Sequence, residues 1–154
     1  MKEALTIWID GACSGNPGPA GVGVVIKEGE QIIKEISKFI GEATNNIAEY
    51  TALKEALTQA QKETKGVVKI FTDSELLAKQ VTGQYKIKNE NLAVLFQEVS
   101  QLSLRFKSVE IQHIPRERNQ QADKLATQAI KSKQGKTIAS TFKYVEEESP
   151  SSKG

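Results

Sequence analysis

The pattern of the chain changes once, after residue 40, and that change limits the fold more than any other feature. Before it, β-branched and aromatic runs alternate with Gly- and Pro-rich punctuation, in Leu5 to Ile9, Gly21 to Lys27 and Gln31 to Ile40. These read as three strands, and the short Glu28-Gly29-Glu30 between the last two suits a hairpin turn. Asp10 to Pro19 is so rich in Gly, Pro and Asn that a loop is expected, neither helix nor strand. After residue 40, helical and strand-like segments take turns. Thr44 or Asn45 can cap a helix to about Lys62, filled with Ala, Leu, Glu, Lys and Gln. Val67 to Phe71 is nearly continuously apolar, as in a strand buried between layers. A short helix is expected from Ser74 to about Val81 and another from Leu92 to Leu104. A strand from Val109 to Ile114 is stopped by Pro115, and a last helix opens at Asn119 or Gln120 and runs to about Lys133. The order β-β-β-α-β-α-α-β-α predicts an antiparallel meander continued by parallel strands through crossovers. That is an α/β fold, a mixed sheet with helices on its faces.

At 154 residues the chain has the length of one domain. Residues 1–134 are expected to form it, and residues 135–154 to be a C-terminal extension that is at least partly disordered. No apolar run approaches the roughly 18–20 residues of a membrane-spanning helix, so no membrane partner is expected. Met1-Lys2-Glu3-Ala4 lacks the plan of a signal peptide, and a single Cys builds no intrachain disulfide. A cytoplasmic monomer is the expectation. One Cys with one His excludes a zinc site made from those ligands and narrows the routes to an activated nucleophile. Residues 1–75 carry 8 Lys/Arg against 11 Asp/Glu, and residues 76–154 carry 13 against 8, which together give the net +2. An acidic half followed by a basic half points mildly to a polyanionic partner and fits a solvated surface equally well.

What the chain has in quantity is carboxylate, and four of these acids sit where a fold has no use for them. Asp10 follows the first strand, on the same side as Trp8 and Thr6. Asp73 follows the buried strand, directly after Phe71-Thr72. In open α/β sheets ligands gather beyond the carboxyl ends of the strands, so adjacent parallel strands would bring both acids there. An Asp in such a place also serves as an ordinary turn or cap. Glu49 is more pointed. At about 100° per residue it falls among Ala52, Leu53, Ala56 and Ala60, in the middle of the apolar stripe. A carboxylate turned inward needs a partner, either a nearby ammonium or a cation from solution. Asp123 flanks the apolar face of the last helix, with Ala122, Ala126, Ala129 and Ile130, where it also complements the helix dipole. Clustered acids repel unless positive charge holds them, and oxygen-only ligation selects a hard cation, Mg²⁺ or Mn²⁺. Two such ions can activate a water and stabilise a leaving oxygen in phosphodiester cleavage.

Four segments then carry a resemblance: Ile9-Asp10-Gly11-Ala12-Cys13-Ser14-Gly15-Asn16-Pro17-Gly18, Thr44-Asn45-Asn46-Ile47-Ala48-Glu49, Thr72-Asp73-Ser74 and Ala122-Asp123. In this order and spacing, over roughly residues 4–133, the chain resembles the ribonuclease H family, type-one branch. The resemblance implies a ribonuclease H-like fold. Its five-stranded mixed sheet has three antiparallel strands, then two parallel ones, with helices on both faces. It implies an endonuclease that hydrolyses the RNA strand of an RNA–DNA hybrid, leaving 5′-phosphate and 3′-hydroxyl ends. Asp10, Glu49, Asp73 and Asp123 look like its metal-binding catalytic set, holding two Mg²⁺ or Mn²⁺ ions per active site. Cys13, Ser14, Asn16 and Asn46 look like the surface that tells RNA from DNA by its 2′-hydroxyl, and Thr44 like the residue gripping a DNA-strand phosphate.

Departures from the family pattern set further expectations. Gln84-Tyr85-Lys86-Ile87-Lys88-Asn89 leads almost directly into the next helix, which resembles the branch lacking a basic protrusion. Fewer phosphate contacts weaken binding and flatten its salt dependence. Glu75 stands where a substrate-contacting Gln is common, and no role is assigned to it. In His113-Ile114-Pro115-Arg116-Glu117-Arg118-Asn119, Arg116 is the first choice for the assisting position and His113 the second. Arg cannot act as a base near neutral pH, so its part would be to hold phosphate. Cys13 is expected to pack rather than to act as a nucleophile. Two other readings keep the same fold: a non-catalytic module binding hybrid or double-stranded RNA, and an integrase- or resolvase-like nuclease.

Overall fold

A computed structural model of the chain describes residues 4–132. The extension expected at 135–154 lies outside the described residues. The strands are β1 (Ala4–Cys13), β2 (Gly18–Glu28), β3 (Gln31–Ala43), β4 (Val67–Thr72) and β5 (Ser108–His113). The helices are α1 (Asn45–Ala60), α2 (Glu75–Val81), α3 (Glu90–Ser103) and α4 (Gln120–Ser132), with a 3-10 turn at Arg116–Arg118 ahead of α4. The sheet order is β3-β2-β1-β4-β5, antiparallel from β3 to β1 and parallel from β1 to β5. This is the five-stranded mixed sheet expected.

One face of the sheet is a hydrophobic wall. Period-2 alternation turns Leu5, Ile7 and Ile9 of β1 the same way as Val22, Val24 and Ile26 of β2 and Val68 and Ile70 of β4. The register aligns them, Ile7 with Ile26 on one side and with Ile70 on the other. Against this wall α1 buries Ala52, Leu53, Ala56, Leu57 and Ala60, and α3 packs on α1 through Leu92 and Val99. Each fully buried Leu or Ile contributes about 1.5–3 kcal/mol. Side-chain caps start the helices cleanly: Thr44 accepts from the Ile47 N–H, Ser74 from Leu77 and Asn89 from Leu92.

Among the described residues, the opposite face is covered by α4, which lies over β1, β2 and β3. It comes close because the strand side is bare. A Cβ placed on Gly23 would stand 2.1 Å from the Ala122 carbonyl oxygen. Ala122, Ala126 and Ala129 are the residues α4 buries. The buried Ser37 hydroxyl donates to the Leu125 carbonyl at 2.6 Å, fastening β3 to the same helix.

The expected loop from Asp10 to Pro19 is corrected by this structure. β1 runs on through Cys13 and β2 begins at Gly18, because Gly11, Ala12 and Cys13 continue the ladder opposite Val22, Gly21 and Ala20. Only residues 14–17 form the turn, closed by the Ser14 N–H to the Pro19 carbonyl at 2.8 Å.

Candidate active site

The parallel pairing of β1 with β4 sets Ile9 against Thr72, so the next residues, Asp10 and Asp73, come level at neighbouring strands. Asp10 is therefore inside β1, paired with Gly23, and is only 5% exposed. Glu49 arrives from the other face. It is half-buried near the N-terminal end of α1, on the side of the helix that buries Ala52, Leu53, Ala56 and Ala60, as expected. The Gly11 N–H donates to Glu49 Oε1 at 3.0 Å. That approach requires glycine, since a Cβ on residue 11 would lie 2.3 Å from the Ala48 carbonyl carbon. Asp10, Glu49 and Asp73 each offer a carboxylate oxygen, all within 4.8 Å of one another. Asp123, in the first turn of α4, is outside that group of three but near enough for its carboxylate to raise the Asp10 carboxyl.

The electrostatics follow from this crowding. Burial raises the Asp10 carboxyl to about 9, helped by the charges of Glu49, Asp73 and Asp123. Burial raises Glu49 to about 8, with the Asp73 charge adding and the Gly11 hydrogen bond opposing. Left to themselves these acids retain protons near neutral pH. Positive charge placed among them removes both the repulsion and the reason for protonation. The donors are all hard oxygens, which fits Mg²⁺ or Mn²⁺.

Beside the acids, the β1–β2 turn is tied to the start of α1. Asn16 Oδ1 accepts from the Asn45 N–H at 2.9 Å, and the Cys13 thiol donates to the Ala43 carbonyl at 3.2 Å. Ser14, Asn16 and Thr44 are exposed and Asn46 half-buried, so these residues form one polar rim. The Cys13 thiol is raised by burial and then by Glu49, the opposite of what a nucleophile needs.

Comparison with known proteins gives the family of this fold. Residues 9–129 match the family described as "Reverse transcriptase-like". The crystal structure of RNase H1 from Halobacterium salinarum superimposes with a TM-score of 0.81 at 38% identity, covering 84% of this chain and 98% of that one. The chain belongs to the ribonuclease H family. LC11-RNase H1, solved in complex with an RNA/DNA hybrid, is similar at 40% identity with a TM-score of 0.79, over 84% of this chain and 98% of that one. A bifunctional protein of Mycobacterium tuberculosis is 35% identical over 154 residues, which is 97% of this chain and 42% of that protein. The chain thus spans about two fifths of that relative's length.

Within this ribonuclease H fold, the two assisting candidates separate. Arg116 is exposed, with Nη2 3.8 Å from Asp123 Oδ1, and its charge also acts on Glu49. His113, exposed at the end of β5, instead acts on Glu75, whose carboxyl is held below its usual range chiefly by Lys79 at 3.0 Å. Glu75 is accordingly half of an ion pair along α2. Residues 84–89 make a short connection to α3, tied back by the Gln80 amide donating to the Lys86 carbonyl. One polar residue was missed as anything but a helix start. Asn119 is 1% exposed, and its amide nitrogen donates to the Ile9 carbonyl at 2.8 Å and to Asp73 Oδ2 at 3.0 Å. Nothing in its sequence neighbourhood separates it from an ordinary capping Asn.

Proposed function

We propose that this chain is a metal-dependent endonuclease that hydrolyses the RNA strand of RNA–DNA hybrids. The observation that carries the reading is the convergence of Asp10, Glu49 and Asp73, with Asp123 against Asp10, in a chain of the ribonuclease H family. The similarity to LC11-RNase H1, whose structure holds a hybrid, supports the choice of substrate.

Asp10, Glu49, Asp73 and Asp123 would hold two Mg²⁺ or Mn²⁺ ions, which when bound supply activation of the attacking water and charge stabilisation at the departing 3′-oxygen. Asp10 and Glu49 give up their protons on loading, so uptake strengthens as pH rises. Cleavage between phosphorus and the 3′-oxygen leaves 5′-phosphate and 3′-hydroxyl ends. Arg116, always charged and extending past Asp123, holds a phosphate oxygen and takes no proton. Thr44 accepts from the Ile47 N–H, and its hydroxyl proton remains free to donate to a DNA-strand phosphate. Asn16 spends its carbonyl on Asn45, which leaves its amide hydrogens for the minor groove. With Asn46 and the Cys13–Ser14 backbone it reads the 2′-hydroxyl.

The test is a hybrid with labelled RNA, run with Mg²⁺, with Mn²⁺ and with EDTA, alongside DNA duplex and double-stranded RNA. The expected result is cutting of the hybrid's RNA strand alone, abolished by EDTA and by Asp73→Asn. Cutting that survives Asp73→Asn, or hybrid binding without product at every metal concentration, contradicts the proposal.

A further inference from the structure

The two peptide groups that flank Asp10 are each fastened to another carboxylate-bearing element. On one side the Gly11 N–H holds Glu49 at 3.0 Å. On the other, the Ile9 carbonyl is held by Asn119, whose second amide hydrogen goes to Asp73 Oδ2. The backbone of Asn119 adds a third attachment, because its carbonyl accepts from the Asp123 N–H at 3.1 Å and so starts α4. One buried residue therefore links Ile9 beside Asp10 in β1 and Asp73 after β4 through its side chain, and Asp123 in α4 through its backbone.

We infer that Asn119 is a positioning residue for the metal site, the brace that sets Asp73 and Asp123 at a fixed distance from Asp10. The inference rests on the proposed function, since it concerns how the same carboxylates are arranged. The amide orientation is fixed by its surroundings: turned over, Oδ1 would face a carbonyl and a carboxylate, both acceptors. Its Oδ1 is buried and has no hydrogen-bond partner among the described residues. Leaving an acceptor unsatisfied is costly, so the residue is not there to complete its own hydrogen bonding. Its two donor bonds are what the position supplies. An Asp73 carboxylate with one oxygen engaged by Asn119 keeps its other oxygen for a cation and loses the freedom to rotate away.

The measurement is Mn²⁺ affinity by calorimetry on the full chain, for the parent, Asn119→Ala and a control, Ser37→Ala. Ser37 is equally buried and also anchors α4, through Leu125, but it bonds to no carboxylate. Both variants are expected to melt lower than the parent. Asn119→Ala should weaken Mn²⁺ binding roughly 10–100-fold, the scale for losing a group that orients a metal ligand. Ser37→Ala should stay within about twofold of the parent, since it perturbs no orienting group. At saturating Mn²⁺ the KM for hybrid should hold while the metal midpoint of kcat moves. If Asn119→Ala does not fold, the parent decides the matter by NMR. The Asn119 side-chain amide resonances should shift during Mg²⁺ titration with the midpoint of binding. A folded Asn119→Ala with parental affinity, a Ser37→Ala that loses as much, or stationary Asn119 resonances would each overturn the inference alone. A parent that takes up no divalent ion would overturn the proposed function and this inference with it.

Discussion

On the α1 face of the sheet, Leu5, Ile7, Ile9, Val22, Val24, Ile26, Val68 and Ile70 meet a helix that answers with Leu53 and Leu57. On the α4 face, the same strands present Asp10 and Gly23 beneath Ala122 and Ala126. The first face gains its stability from bulk. The second gives up bulk, and the small residues let a helix backbone come near enough for the Asp123 carboxylate to act on Asp10. The contrast teaches that stability and chemistry are assigned to opposite sides of β1 and meet at residues 9–11, where both neighbouring peptide groups of Asp10 are engaged.

If that division holds, substitutions on the two faces fail in different ways. The largest effect belongs to the acids. Asp10→Asn should lower hybrid cleavage by on the order of a thousandfold, the upper scale for removing one electrostatic stabiliser. In EDTA at pH 8 it should nevertheless melt higher than the parent, because the amide, unlike the carboxyl, needs no proton taken up to sit in that crowded, buried place. Gly23→Ala should break the division. Its Cβ, 2.1 Å from the Ala122 carbonyl oxygen, must push α4 away, so melting temperature and Mn²⁺ affinity should fall together. Leu53→Ala should confirm the division from the other face. It removes a fully buried side chain at about 2–5 kcal/mol, and cleavage per folded molecule should stay at the parental rate.

A subtler effect appears in pH. Asp10 at about 9 and Glu49 at about 8 are far above the roughly 4 of unfolded carboxyl groups, so between those limits the folded protein binds more protons. Metal-free stability should therefore be fully present below about pH 4 as far as these two groups are concerned, and fall as pH rises toward 9. Thermal melts should show a larger gain from Mg²⁺ at pH 8 than at pH 6, and an equal gain at both would contradict the protonated cluster. The smallest effect is Thr44→Ala. Losing the α1 cap should cost about 1 kcal/mol, with a raised KM for hybrid as the mark of the lost phosphate contact.

Much of this was legible in the sequence, for a physical reason. The cap at Thr44, the β-branched and aromatic run of β1, the nearly continuous apolar run of β4 and the change of texture after residue 40 are local signals, and the element order follows from them. Asp10 and Asp73 were placed at one end of the sheet by their positions on parallel strands. What escaped was non-local. Gly11 to Cys13 read as loop by composition, yet they pair with β2, and pairing is decided by the partner strand. Nothing within the strand from Gly21 to Lys27 marks Gly23, whose bareness matters only because the α4 backbone lies against it. Asn119 looked like a cap because its bonds reach residues 110 and 46 positions away.

The central claim is that Asp10, Glu49 and Asp73 jointly take a divalent ion. Anomalous diffraction from crystals soaked in Mn²⁺ tests it most directly. A peak within ligand distance of all three carboxylates, lost in Asp10→Asn, is the predicted result. Mn²⁺ density that avoids these side chains, or a peak that persists unchanged in Asp10→Asn, would contradict it.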